Sequence, residues 1–324
     1  MTVFILRRLA QTLLVLFVTS ALVFGGIFLV GDPVEMLVNP AADQEEKLRA
    51  AIALGLDRPV LEQYWIFLKG AASGDLGRSF VFGRPALEVI LERMPATLEL
   101  AFLAMLMSVG LGIPLGMYAG LYPDRKSSKA IMAGSILGFS LPTFWVGLLL
   151  IMLFAVQLGW LPSTGRGPTE IVLGLSISIF SLEGLKYALL PSLNLALFKL
   201  SLIIRLTRAQ VREQALLDYI RFARAKGLPR SRVIGVHLLK NIMIPLVTVI
   251  GLELGSVIAF AIVTESIFAW PGMGKLVIDS IFQLDRPVVV AYLLVVVFMF
   301  IMINLAVDIL YSVLDPRVRI EEAK

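Results

Sequence analysis

The sequence contains no cysteine and a single histidine, His237. The first absence removes disulfides and thiolate metal sites, and the second removes any cluster of imidazole ligands. Charge is also scarce, at 16% of residues, where a soluble domain carries about 25%. Several catalytic signatures are missing. No stretch fits the phosphate-cradling G-x-x-x-x-G-K-[ST] pattern. In PGMGKL, Lys275 is followed by Leu276, and Ala269 stands where the first glycine would be needed. HExxH and G-x-S-x-G are absent as well. The chain carries no catalytic constellation and no metal-ligand set of its own.

What is present is apolar. Hydrophobic residues make up 58% of the 324, and mean hydropathy is +0.88. These values predict an all-α, multi-pass membrane protein. Six apolar runs have the length of a crossing, which takes about 20 residues: 9–30, 98–121, 130–158, 187–206, 242–264 and 288–312. The first run exceeds the ~7–15 apolar residues of a secretory leader and is expected to be an uncleaved span. The third is too long for one straight crossing, and Pro142 is expected to kink or break it.

Basic residues set the orientation. With the N-terminus cytoplasmic, the inner side receives Arg7, Arg8, Arg125, Lys126, Lys129, the group from Arg205 to Lys240, and Arg317, Arg319 and Lys324. Outside the long 31–97 segment, the outer side receives only Arg166, Lys186, Lys275 and Arg286. Long segments weigh little in this rule, so both termini are expected in the cytoplasm. The 31–97 segment itself reads as a small helical element. Asp43 offers a cap with Glu46 three residues on, and Pro59 opens a stretch with Val60, Tyr64, Phe67 and Leu68 at helical spacing. GDLGRSF reads as a turn.

Inside the spans, Gly112, Gly116 and Gly120 form GxxxGxxxG, and Gly251 and Gly255 form GxxxG, spacings that bring helix backbones close in lipid. Glu253 lies mid-span, where a charge must face a cavity or a partner. Glu99 and Lys199 lie nearer span ends and are expected to snorkel. A secondary transporter would show intramembrane charge pairs and an internal repeat; neither is legible along the chain.

One stretch differs from everything around it. DYIRFARAKGLPRSRVIGVHLLKN holds Arg221, Arg224, Lys226, Arg230, Arg232 and Lys240 against the single acid Asp218. It predicts a helix, a break at Gly227 and Pro229, and a second helix leading into the fifth span. Tyr219 and Phe222 are its only aromatic residues and it lies against a membrane, so nucleic acid is an unsuitable partner. Anionic lipid or a soluble cytoplasmic protein remain as partners. For His237 a packing or hydrogen-bonding role is expected.

Y-I-R-F-A-R-A-K-G-L followed by H-L-L-K-N-I-M-I-P closely resembles the cytoplasmic coupling loop of binding-protein-dependent ABC importer permeases, in their dipeptide/oligopeptide/nickel subfamily. Gly227 takes the glycine position of the general motif and Ala223 its last alanine. Arg221 stands in place of its glutamate and Lys240 in place of its proline, the form usual in the peptide subfamily. VFILRRLAQTLLVLF, LVGDPVE, GLDRPVLEQYWIFL, GDLGRSF, LPTFWVGLLL, LGWLPSTGRG, ESIFAWPGMGKL, RPVVVAYLL and NLAVDILYSVLDPRVR resemble the subfamily's other blocks, in order.

The resemblance implies a type I ABC importer permease fold of six helices and the B-type subunit. The expected organisation is an N-terminal helix at 1–30, an extracytoplasmic helical element at 31–97, a five-helix core at 98–312 with its coupling loop at 207–241, and a cytoplasmic tail at 313–324. It implies that Asp218, Tyr219, Arg221, Ala223, Arg224, Ala225, Lys226, Gly227 and Leu228 couple to an ATPase, with Ala223 and Ala225 leaving room for close docking. Implied partners are a C-type paralogue in a heterodimer, two cytoplasmic ATP-binding subunits that hold ATP and magnesium, and an extracytoplasmic substrate-binding protein seated on the 31–97 element and the 265–286 loop. The implied location is the inner membrane of a bacterial or archaeal cell. Short peptides are the implied cargo, with nickel, glutathione or oligosaccharide as alternatives. Glu253, Glu265 and Asn304 are candidates for the translocation pathway.

Overall fold

The computed structural model describes residues 2–27, 43–53, 57–172 and 174–314. The Gly-Asp-Pro block, the end of the first span at 28–30 and the tail from 315 lie outside the described residues. The elements are almost all helical: α1 (Thr2–Ile27), α2 (Gln44–Ala53), α3 (Val60–Ala72), α4 (Ala86–Leu121), α5 (Lys126–Ser140), α6 (Thr143–Leu150), α7 (Leu182–Gln214), α8 (Asp218–Ala225), α9 (Arg230–Arg232), α10 (Leu239–Ile267), α11 (Met273–Phe282) and α12 (Arg286–Leu314). A two-stranded antiparallel sheet joins β1 (Glu170–Val172) to β2 (Leu175–Ile177), with Ile171 opposite Ser176.

Among the described residues, four stretches are long and apolar enough to cross a membrane: Ala86–Leu121, Leu182–Gln214, Arg230–Ile267 and Arg286–Ile309. The segment from Ala10 to Gly26 is a shorter apolar helix. The expected third span is broken. α5 and the stretch Thr143–Gln157, formed by α6 and a π-helical continuation, meet at 108°. The cause is local. A residue before proline is pushed to extended backbone, and Leu141 (ψ 136°) and Pro142 (ψ 131°) are both extended, so two consecutive peptides leave the helical path.

The chain divides into two compact units. The first comprises Met1–Met94 and Leu276–Ile301. In it Asp43 caps α2 through the Glu46 amide at 2.8 Å. Tyr64 of α3 packs between Phe17 and Phe24 of α1, with ring centroids 6.1 and 5.2 Å away, and shares a 2.8 Å hydrogen bond with Ser20. Asp285 is fully buried; it accepts from the Ser79 hydroxyl and from the amides of Phe80 and Val81 at 3.1 and 3.3 Å. The GDLGRSF turn, with Gly74 and Gly77 at positive φ, is therefore anchored on a carboxylate 206 residues away.

The second unit comprises Pro95–Lys275 and Met302–Lys324. Its helices pack through glycine. A Cβ at Gly112 would lie 2.7 Å from Ile203 Cγ2, one at Gly116 2.6 Å from Thr207 Cβ, and one at Gly120 2.6 Å from Val211 Cγ1. The GxxxGxxxG stripe of α4 is the seat of α7, as its spacing predicts. Gly251 of α10 meets Val307 of α12 in the same way.

Candidate functional site

Two regions of the second unit combine charge, exposure and position. The first is the basic island. α8 runs from Asp218 to Ala225, and Gly227 (φ +72°) ends it in the left-handed conformation that glycine adopts without strain. Pro229 then caps α9, and a π-helical turn at Val233–Leu238 leads into α10.

α8 is two-faced. Ile220 and Ala223 are buried with Val211, Val233, Leu238, Ile242 and Leu246, so this face is bolted to the spans. Asp218, Arg221, Phe222, Arg224, Ala225, Lys226 and Gly227 are exposed, while Tyr219 and Leu228 are half-buried. Ala223 therefore serves the packed side, whereas Ala225 lies on the open one. Arg221 pairs with Asp218 at 3.5 Å, and Lys226 lies over the Phe222 ring at 4.5 Å. Phe222 is 61% exposed, a large apolar side chain in the middle of a basic face. The sequence carries its signal in hindsight, because Phe222 is the only large apolar residue of α8 off the stripe of Tyr219, Ile220 and Ala223. Burial raises the Tyr219 phenol above its ordinary range. Next to α8 a cavity of about 420 Å³ is lined by Gly120, Leu121, Ala215, Ile220, Arg224 and Arg230, among others. Arg125 and Arg230 both stack on Tyr122, at 4.4 and 5.0 Å, which ties the 122–125 turn to the start of α9. The backbone oxygen of His237 accepts from Asn241 at 2.7 Å.

The second region is a set of charges between the long helices. Lys199 of α7 forms an ion pair with Glu253 of α10 and donates to Ser256 at 2.6 Å. Lys199 does not snorkel, and an intramembrane charge pair is present although none was legible along the chain. Sequence separation hid it: the partners are 54 residues apart, on different helices. Glu99 also turns inward. It accepts from Arg166 at 2.6 Å and from the Ser178 amide and hydroxyl at 2.8 and 2.6 Å.

Glu265 is fully buried. It accepts from the Thr97 hydroxyl at 2.6 Å and the Lys275 amide at 2.9 Å, and Thr97 in turn accepts from the Met273 amide at 2.8 Å. The glycines of PGMGKL are required by this carboxylate. A Cβ on Gly272 would collide with it, and one on Gly274 would approach it to 2.9 Å. Trp270, also fully buried, donates to the Ala96 carbonyl at 2.9 Å. The ESIFAWPGMGKL block is thus a closed knot around a buried carboxylate. Asn304 is half-buried, and its Oδ1 is enclosed with no hydrogen-bond partner among the described residues. Asn194 donates to Thr264 at 2.9 Å, while its own Oδ1 has no partner among the described residues.

The family profile described as binding-protein-dependent transport system inner membrane component matches residues 112–320, and a companion profile for the N-terminal part of such components matches 1–101. The chain is 40% identical to the di/tripeptide transport system permease protein of Pseudomonas aeruginosa, over 98% of each chain. It is 38% identical to the dipeptide transport system permease protein of Escherichia coli, again over 98% of both. Among solved structures it resembles the inward-facing MetNI methionine ABC transporter, with a TM-score of 0.54 and 16% identity, over 71% of this chain and 98% of that one. At that identity the likeness speaks for the fold alone.

Proposed function

The chain belongs to the family of binding-protein-dependent transport system inner membrane components, and on that premise we propose that it is the B-type permease of an ATP-driven importer of short peptides. It is a membrane transport subunit, and ATP hydrolysis in such systems belongs to separate subunits. The observation that carries the peptide reading is the near full-length identity to two peptide permeases.

Six crossings with both termini in the cytoplasm complete this proposal. The four long apolar helices, the bent pair and the shorter α1 helix support that number. α8 is the lever. Ile220 and Ala223 fix it to the spans, and its exposed Arg221, Phe222, Arg224 and Lys226 form a cationic face with one apolar knob for an acidic groove on an ATP-binding subunit. A second such subunit serves a C-type paralogue, and a substrate-binding protein delivers cargo outside. ATP and magnesium are held by the ATP-binding subunits. Glu253 and Asn304 are the pathway candidates this reading keeps. The closed hydrogen-bond set of Glu265 gives that residue a packing role instead.

Purification of the tagged chain from membranes in mild detergent, followed by mass spectrometry, tests the assembly. The expected result is co-purification of a second permease and ATP-binding chains, with the latter lost on Arg224→Glu. Recovery of the chain alone or only with copies of itself would overturn the reading.

A further inference from the structure

Three inward-facing carboxylates of the second unit, Glu99, Glu265 and Glu253, differ in how far each is enclosed. Glu99 and Glu265 are closed: their side chains or residues are at most 5% exposed, and both oxygens of each are occupied. The Lys199–Glu253 pair is open on one side, with side-chain exposures of 11% and 21%. Glu253 Oε2 accepts from Lys199 and, at 2.9 Å, from Ser256; among the described residues no bond reaches Oε1. The Lys199 ammonium carries three donors and uses two. One donor of the ammonium, which also lies 5.4 Å over the Phe198 ring, and one anionic acceptor are left over within a single ion pair.

Position gives this meaning. Glu253 is the midpoint residue of α10, which spans Leu239–Ile267, and lies well inside the apolar stretch Arg230–Ile267, where an exposed charge in lipid is unfavourable. An ion pair open there must open onto a polar enclosure or a charged visitor. We propose that Lys199, Glu253 and Ser256 form a charge-exchange station for zwitterionic cargo, an inference that rests on the peptide reading above. The ammonium end of a peptide engages Glu253 as its carboxylate end engages Lys199. One ion pair in the protein and the two hydrated ends of the peptide become two ion pairs between protein and peptide. No charge is left unpaired within the apolar stretch, and on departure Lys199 and Glu253 re-form their own bond. Ser256, hydrogen-bonded to both, holds the two side chains on one spot.

The test uses the complete transporter in proteoliposomes with its own binding protein and compares a free dipeptide with its N-acetylated and C-amidated forms. The readout is the ratio of uptake rates, referred to the wild-type permease so that the binding protein's own preference cancels. Glu253→Gln is expected to lower the preference for the free over the N-acetylated peptide about tenfold, the loss of one charge-assisted contact, and to leave the preference over the amide intact. Lys199→Met is expected to do the reverse. The double variant Lys199→Met/Glu253→Gln, which strands no charge, is expected to lose both preferences while still co-purifying with its partner chains. Unchanged ratios in all three variants, with only the total rate reduced, would make the pair purely structural and overturn the inference. Uptake of no peptide form by the wild type would instead overturn the peptide reading, and this inference with it.

Discussion

Replacing Gly116 by alanine adds one methyl group to the helix-helix seam of the second unit. The new Cβ would fall 2.6 Å from Thr207 Cβ and 2.7 Å from the backbone oxygen of Ile204. Thr207 is fully buried and has little room to rotate away, and a backbone oxygen in mid-helix cannot move alone. α4 and α7 must therefore separate along the whole stripe from Gly112 to Gly120. Overpacking of this kind costs about 1–3 kcal/mol. Gly110, on the same helix, supplies the control, because nothing lies within 4 Å of its Cβ position. There alanine adds only helix propensity, a gain of up to about 1 kcal/mol. The two single-methyl substitutions are expected to differ by about 1–4 kcal/mol, in opposite directions from wild type. Thermal unfolding of the detergent-solubilised complex, followed by size-exclusion chromatography of fluorescently tagged chain, reads the order directly. Equal stability of Gly116→Ala and Gly110→Ala would refute the claim that the glycine stripe carries the α4–α7 contact.

Thr97→Val removes the hydroxyl that joins Glu265 to the Met273 amide. Stranding those buried groups is expected to cost about 1–3 kcal/mol, seen as a lower unfolding temperature, whereas Thr97→Ser should stay near wild type. Asp285→Ala removes the acceptor for Ser79, Phe80 and Val81. Hydrogen exchange of the amides at 80–82 is then expected to rise without a matching rise in α3, and unchanged exchange would contradict the anchoring role. On α8 the two faces should separate. Arg224→Glu is expected to release the ATP-binding subunits and leave chain stability within about 0.5 kcal/mol of wild type, as for an exposed site. Ala223→Arg, aimed into the buried cluster, should lower stability first.

Local features were legible in the sequence, and long-range ones were not. The Asp43 cap, the Gly227 stop, the glycine stripe and the proline at 142 each act over a few residues, so their chemistry can be read in place. The size of the break at 142 was not, because 108° arises from two extended residues together with the helix packing on either side. Helix ends also escaped the apolar runs. α4 begins at Ala86 rather than at 98, since its first turns are amphipathic and the run of apolar residues starts later. The short β1–β2 pair has too few residues to show a period. Among the candidate site residues, Glu253 was visible as a lone mid-span charge, but its partner Lys199 looked like a span-end residue. Only the antiparallel packing of α7 on α10 brings the two together. Glu265 was visible as a polar residue at a span end, while its enclosure by Thr97 and the glycines depends on a contact across 168 positions.

The central claim is that this chain forms part of an ATP-driven path for short peptides. ATP-dependent uptake of a labelled dipeptide into proteoliposomes containing the chain, its co-purifying permease and ATP-binding subunits, and their binding protein tests it most directly. The account expects uptake that requires ATP and the binding protein and that falls away with Arg224→Glu. Uptake by the chain alone, driven by an ion gradient and indifferent to ATP, would contradict it and make the Lys199–Glu253 pair the ion-coupling site of a secondary transporter.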